Sequence, residues 1–136
     1  MKKAELLAPA GNMEALIAAV QAGCDAVYLG LNSFSARAFA GNFSREELIE
    51  AVRYCHIRSV KVYVTMNTIL YEPEIEAATD QIQFLYDHDV DALLIQDFGL
   101  FHYVRTCFPD FEVHCSTQMH IHNMSGIEYM KKQGVK

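Results

Sequence analysis

The sequence predicts an α/β fold: five βα units forming the N-terminal part of a (β/α)8 barrel of the TIM type, in one incomplete domain over residues 1–136. Three observations predict it. Short apolar runs alternate with stretches of helical periodicity, the pattern of a parallel sheet with right-handed crossovers. Each run gives way to polar residues at its C-terminal end. A phrase also recurs at the helix-to-strand junctions: Gly23-Cys24-Asp25-Ala26-Val27, then Asp89-Val90-Asp91-Ala92-Leu93, then Gly134-Val135-Lys136. Eight units need about 250 residues, so the expectation is a barrel interrupted before its sixth strand. A flavodoxin-like five-stranded sheet fits the same alternation.

The first strand is expected from Glu5 to Ala8, broken by Pro9, Ala10 and Gly11. Asn12 then caps a helix carrying Glu14 in its electropositive first turn, with Leu16 and Val20 on one face and Gly23 at its end. Strand two is Ala26 to Gly30, followed by a long loop from Asn32 to Phe43. Ser44 and Glu47 have the spacing of a capping box, and Leu48, Val52 and Cys55 form the apolar stripe behind it. Strand three runs from Lys61 to Thr65. Pro73 suits the first turn of the next helix, where Ile75, Ala78, Ile82 and Leu85 recur at helical spacing. Strand four is Ala92 to Ile95, with a short helix from about Leu100 to Cys107. Strand five is Glu112 to Ser116, and Ser125 with Glu128 reads as a second capping box. The strands are nearly continuous apolar runs, as expected where both sheet faces are covered.

Composition narrows the function. No segment reaches the roughly 18 apolar residues of a membrane helix, and the N-terminus lacks the apolar stretch of a signal peptide, so a cytoplasmic setting is expected. The net charge of −6 disfavours this segment as a nucleic-acid clamp. Cys24, Cys55, Cys107 and Cys115 form no CxxC pair and read as reduced, buried thiols. Nucleotide-binding GxGxxG and GxxxxGK patterns and the zincin HExxH are absent.

In a parallel barrel the chemistry sits at the C-terminal strand ends. Here those ends carry Pro9-Ala10-Gly11, Asn32, Asn67, Gln96-Asp97 and Ser116-Thr117-Gln118. Such residues also shape turns and caps, and Asp97 stands where an N-cap would. Arg37, in the long loop, either grips an anion in a bidentate manner or is simply solvated. His114 and Ser116 point to one face of strand five. His120 and His122 have the spacing of a metal-ligating pair, but no third ligand is fixed by spacing, and no metal is assigned.

Four segments together resemble one family: Glu5 to Asn12, Gly23 to Gly30, Val62 to Thr68 and His114 to Gln118. They resemble, in order and over essentially the whole chain, the collagenase-like U32 peptidase family. Asn67 to Leu70 and Asp91 to Asp97 are similar to the branch that hydroxylates ribosomal RNA; neighbouring branches act on transfer RNA or on ubiquinone precursors. The resemblance implies a full-length enzyme that hydroxylates RNA bases with an iron–sulfur cluster and prephenate. The family name implies instead a peptidase. The family's cluster cysteines follow the sixth strand, and none of the four cysteines here matches them, so no cofactor is expected on these residues. Carried over by position, Asp97 and His114 are the expected catalytic residues, and Arg37, Asn67, Ser116 and Gln118 the substrate-binding ones. The chain departs from the family at Cys24, where a small residue is usual, and at Ser59, where glycine commonly ends the second helix. Five strands of eight leave two open edges, so the isolated piece is expected to be inactive and to self-associate as a dimer.

Overall fold

The computed structural model describes residues 3–36 and 41–136. Five strands, β1 (Leu7–Pro9), β2 (Ala26–Gly30), β3 (Lys61–Met66), β4 (Ala92–Ile95) and β5 (Glu112–Cys115), alternate with five helices. These are α1 (Met13–Gln21), α2 (Arg45–His56), α3 (Ile75–Asp87), α4 (Phe98–Cys107) and α5 (Met124–Lys132). Every pairing is parallel, and the sheet order is the chain order, β1-β2-β3-β4-β5. This differs from the 2-1-3-4-5 order of flavodoxin-like sheets. The expected elements are present, with the first strand shifted toward Pro9 and α4 beginning earlier, at Phe98, because Asp97 caps it.

Side chains alternate along each strand, so the two sheet faces have separate fates. On one face Val27, Leu29, Val64, Leu93, Ile95 and Val113 meet the apolar stripes of the helices in one buried cluster. The anticipated stripes supply it: Leu16 and Val20, then Leu48, Val52 and Cys55, then Ala78, Ile82 and Leu85. Ile75 is only half-buried, at the start of α3. On the other face a smaller cluster joins Ala26, Tyr63 and Ala92, with Tyr28 and Leu94 packed on it. Among the described residues the sheet is therefore helix-covered on one side, not on both. Sequential strand order with crossovers of one hand accounts for this.

The helix starts are held by side chains. Asn12 Oδ1 accepts from Ala15 N at 2.8 Å, and Ser44 and Glu47 close a reciprocal capping box at 3.1 and 2.8 Å. Pro73 lies in a single 3-10 turn, Glu72–Glu74, that leads into α3. The expected Ser125–Glu128 box does not form. Asn123, in an extended conformation, accepts from Gly126 N at 2.9 Å instead, and Ser125 falls inside the first turn. An Asn upstream with the right backbone outcompetes a Ser already committed to helix.

The recurring phrase is a repeated junction. After α1, α2, α3 and α5 the chain takes a left-handed residue: Gly23 (φ 90°), Ser59 (58°), Asp89 (58°) and Gly134 (87°). The following residues Cys24, Val60, Val90 and Val135 are buried. Their N–H groups reach back to the carbonyls of Ala19, Cys55, Leu85 and Met130 at 3.0–3.3 Å, the Schellman closure of a helix end. The next strand then starts in register: Asp25 N donates to Leu6 O (2.9 Å), Asp91 N to Val62 O (3.0 Å) and Lys136 N to Val113 O (3.3 Å). At the junctions after α1 and α3 the aspartate does more, Asp25 and Asp91 accepting through Oδ2 from Leu6 N (2.8 Å) and Val62 N (2.7 Å).

Left-handed backbone at a residue with a Cβ costs about 1–2 kcal/mol, part of which glycine loses again through its freer unfolded chain. Ser59→Gly is accordingly expected to stabilise the protein by about 0.5–1 kcal/mol in denaturant unfolding. The Asp25 carboxyl is held below its ordinary range near 3.8, chiefly by the Leu6 N–H. A group with a depressed folded-state pKa contributes stability above its unfolded pKa and loses it as pH falls through the folded one. Asp25→Asn should therefore lower the melting temperature at neutral pH and flatten the further fall below about pH 4. A parallel shift of both pH–melting curves would remove this role.

Candidate functional site

The carboxyl ends of β2, β3 and β5 converge beneath the segment 31–36. Gly30 makes room for it: a Cβ there would lie 2.4 Å from Ser35 Oγ. Thr65 donates its hydroxyl proton to Leu29 O (3.2 Å), so its oxygen receives Ser35 Oγ–H at 2.9 Å. Asn67 ties the same segment twice. Its backbone N donates to Phe34 O at 3.0 Å, and its Oδ1 accepts from Ala36 N at 2.9 Å. Its Nδ2 donates to Ser116 Oγ and to Gln118 Oε1, both at 3.2 Å, and Ser116 Oγ donates to the same Gln118 oxygen. Asn67 and Ser116 are buried, at 7% and 4% exposure.

Beside this network lies a cavity of about 360 Å³, within the range of small-ligand pockets. Leu7, Tyr28 and Leu94 give it apolar walls. Thr65, Asn67, Ser116 and Gln118 give it polar ones, and Cys115 borders it. Burial pushes the Cys115 thiol above its ordinary pKa, so it is a neutral thiol at neutral pH.

Three of the six residues singled out from the sequence, Asn67, Ser116 and Gln118, meet here. Asp97 stands elsewhere. Its Oδ1 caps α4 through Leu100 N (2.8 Å) and its Oδ2 receives Leu70 N (3.3 Å), so it joins the loops after β3 and β4. His114 lies in a layer closer to the amino ends of the strands. Its Nε2 is 2.8 Å from Glu112 Oε1, and its ring stands edge-on to Tyr63, with centroids 4.9 Å apart. Arg37 lies outside the described residues. Sequence reasoning passed over Thr65 and Tyr28, although both sit on the site's side of their strands. Thr65 is two positions before Asn67, the spacing that puts side chains on one face.

The layer around His114 is an ionic lattice. Tyr63 O–H donates to Glu5 Oε1 (2.8 Å), Lys61 Nζ lies 3.6 Å from Glu5 Oε2, and Lys136 Nζ donates to Glu112 Oε2 (2.8 Å). Burial, then the Glu5 carboxylate, pushes the Tyr63 phenol well above its ordinary pKa. Burial works against the Glu112 carboxylate, but Lys136 and His114 outweigh it and hold its pKa down.

The cysteines stand on separate elements. Cys24 and Cys55 are buried, Cys115 is half-buried and Cys107 is exposed, which corrects the expectation of four buried thiols. Among the described residues no three His, Cys, Asp or Glu side chains are placed to hold a metal ion. His122 Nδ1 instead bonds the His120 carbonyl at 2.7 Å.

Asn67→Ala strands Ala36 N–H, Ser116 and Gln118, and should cost about 1–3 kcal/mol of unfolding free energy. Burial pushes the Cys55 thiol up to about 11, so a thiol reagent at pH 8 should label Cys107 rapidly and Cys24 and Cys55 only on unfolding. Equal rates at all four would contradict the packing around α1 and α2.

With this geometry in hand, the likeness to known proteins is specific. The family model of peptidase family U32 matches residues 11–136. The tRNA hydroxylation protein P1 of Bacillus subtilis is 36% identical over 134 residues, which is 98% of this chain and 32% of that protein. The 23S rRNA 5-hydroxycytidine C2501 synthase of Escherichia coli is 38% identical over 130 residues, 96% of this chain and 19% of that protein. A collagenase of Porphyromonas gingivalis is 33% identical over 129 residues, 94% of this chain and 31% of that protein. The solved structure of a U32 peptidase superposes with a TM-score of 0.68 at 15% identity, over 87% of this chain and 52% of that one, and so shares the fold. The chain spans about a third or less of the length of these curated relatives. Matched over nearly its whole length by one family model, the chain belongs to peptidase family U32.

Proposed function

We propose that the chain supplies the first five units of a (β/α)8 barrel in a cytoplasmic protein that hydroxylates RNA bases, and that the cavity beside Asn67 is part of its substrate site. One observation carries this reading. The buried Asn67–Ser116–Gln118 network lies at the carboxyl ends of the strands, the rim where such barrels hold substrates, in a chain 36–38% identical to proteins named for tRNA and 23S rRNA hydroxylation. Sequential strand order and a helix layer on one face support the barrel. The net charge of −6 means that RNA phosphates would be held by other parts of the protein.

In this reading Asn67 and Gln118 orient the reacting group, and Ser116 locks their amides. Asp97 holds the two rim loops together, and Arg37 binds an anionic co-substrate such as prephenate. His114 supports the floor of the site through Glu112 and Tyr63. The described residues do not fit an iron–sulfur cluster: Cys24, Cys55, Cys107 and Cys115 are dispersed and no metal-holding group forms. Cluster ligands, if the protein uses one, come from outside these residues. Peptidase chemistry has support in the names of some relatives. However, Ser116 donates to Gln118 while His114 is bound to Glu112, so these two are not arranged as nucleophile and base.

Mass spectrometry of ribosomal and transfer RNA from a deletion strain should show the loss of one hydroxylated nucleoside. Full-length protein should restore it, and Arg37→Ala or Asp97→Ala protein should not. An unchanged nucleoside profile alongside cleavage of a peptide substrate would overturn the reading. The open β1 edge, where Leu6 and Leu7 are 56% and 38% exposed, favours pairing of two copies of this piece. Light scattering of the 136-residue chain should give a dimer mass, and a monomer at high concentration would refute that pairing.

A further inference from the structure

We infer that Ile69, Tyr71 and Phe98 form a docking surface for a lysine- or arginine-rich protein segment that carries an apolar anchor. None of the three lines the Asn67 cavity, and the inference does not depend on what that cavity binds.

These large apolar side chains are held out in solvent at the carboxyl ends of β3 and β4: Ile69 is 66% exposed, Tyr71 75% and Phe98 59%. Neighbouring bonds fix them there. Asp97 accepts from Leu70 N through one oxygen and caps α4 through the other. The loop carrying Ile69 and Tyr71 is thereby tied to the helix start carrying Phe98. Leu70 packs on the main core, which leaves the side chains before and after it outside. The turn after Tyr71 is closed twice, Tyr71 N donating to Glu74 Oε2 and Glu74 N to Tyr71 O, both at 2.8 Å. One exposed apolar residue is ordinary, but three on two joined loops mark an interaction site. Aromatic side chains on a backbone already ordered bind at low entropic cost and act as anchors of interfaces.

Charge identifies the partner. From Val62 to Val104 the chain contains eight acidic residues and no lysine or arginine, whereas all 11 of its cations lie outside that stretch. Glu72, Glu74, Glu76 and Asp80, in the turn after Tyr71 and the start of α3, are exposed. Among the described residues no cation forms an ion pair with any of them. Arg45, which reaches α3 from α2, lies over the Phe84 ring instead, 4.6 Å from its centroid. Nucleic-acid bases could stack on Tyr71 and Phe98, but their phosphates would meet unneutralised carboxylates and no basic groove. A cationic protein segment is attracted where a phosphate is repelled, and an apolar residue within it covers the aromatic patch.

The test uses full-length protein and two fluorescent oligolysine peptides, one with a central tryptophan and one with alanine in its place. By fluorescence anisotropy the tryptophan peptide should bind at least about tenfold tighter than the alanine peptide. Tyr71→Ala combined with Phe98→Ala should remove that difference without lowering the melting temperature by more than a few degrees, since both side chains are exposed. Glu72→Gln combined with Glu76→Gln should weaken both peptides and reduce the salt dependence of their binding. A Tyr71→Cys variant should take up an additional equivalent of thiol reagent in the folded full-length protein. Equal affinity for the two peptides, or unchanged tryptophan-peptide binding in the alanine pair, would overturn the inference. So would a Tyr71→Cys thiol that stays unreactive until unfolding, because the rest of the protein would then cover the patch. Loss of single-stranded oligouridine binding in the alanine pair, with peptide binding unchanged, would make the surface a base-stacking platform instead.

Discussion

A single buried carboxamide organises the rim of this sheet. Asn67 stands at the end of the central strand β3, where it bonds the segment after β2 through its backbone N and its Oδ1, and the segment after β5 through its Nδ2. Because the backbone N–H of Ala36 cannot be reversed, the orientation of every amide and hydroxyl downstream of it is determined. A buried network of this kind is worth having only if every member is satisfied. Here Asn67, Ser116 and the Gln118 oxygen satisfy one another.

The opposite end of the sheet serves a different purpose. Glu5, Lys61, Glu112 and Lys136 surround Tyr63 and His114 in a lattice of complementary charge beside the small Ala26–Tyr63–Ala92 cluster. Charge placed in partly desolvated surroundings is tolerated when paired, and each carboxylate here has a cation or hydroxyl beside it. The two polar layers are therefore distinct in kind. The lower one is closed upon itself by ion pairs, whereas the upper one is built from neutral amides and hydroxyls. His114 belongs to the lower layer by its contacts, although its neighbour Ser116 on the same strand face belongs to the upper one.

The repeated helix-to-strand junction explains how one chain makes these layers align. A left-handed residue, a buried apolar residue and an N–H to the preceding strand recur at Asp25, Asp91 and Lys136. Each recurrence sets the starting height of a strand against its neighbour, and parallel register then carries that height to the other end. The polar rim is level because the junctions at the far end are alike.

Much of this was legible in the residues alone. Alternating apolar and helical segments specify parallel pairing, since their side-chain periods allow little else. Asn12, the Ser44–Glu47 pair and Gly23 announced helix ends through local chemistry that needs no distant partner. Ser125 misled because two capping candidates lay close together, and backbone conformation chose Asn123. The membership of Asn67, Ser116 and Gln118 in one site could be anticipated from strand ends. Their mutual bonds could not, because they join residues far apart in sequence whose spacing encodes no angle. Likewise the carboxylate of Asp97 looked equally fit for capping and for chemistry, and only packing showed both of its oxygens taken by backbone N–H groups. The sequence by itself determined the elements, their order and the stripes that bury, because those follow from periodicity and local bonding. Tertiary structure alone decided which sheet face lies bare of helices and which way each amide points, because both depend on contacts between segments that meet only when the chain is folded.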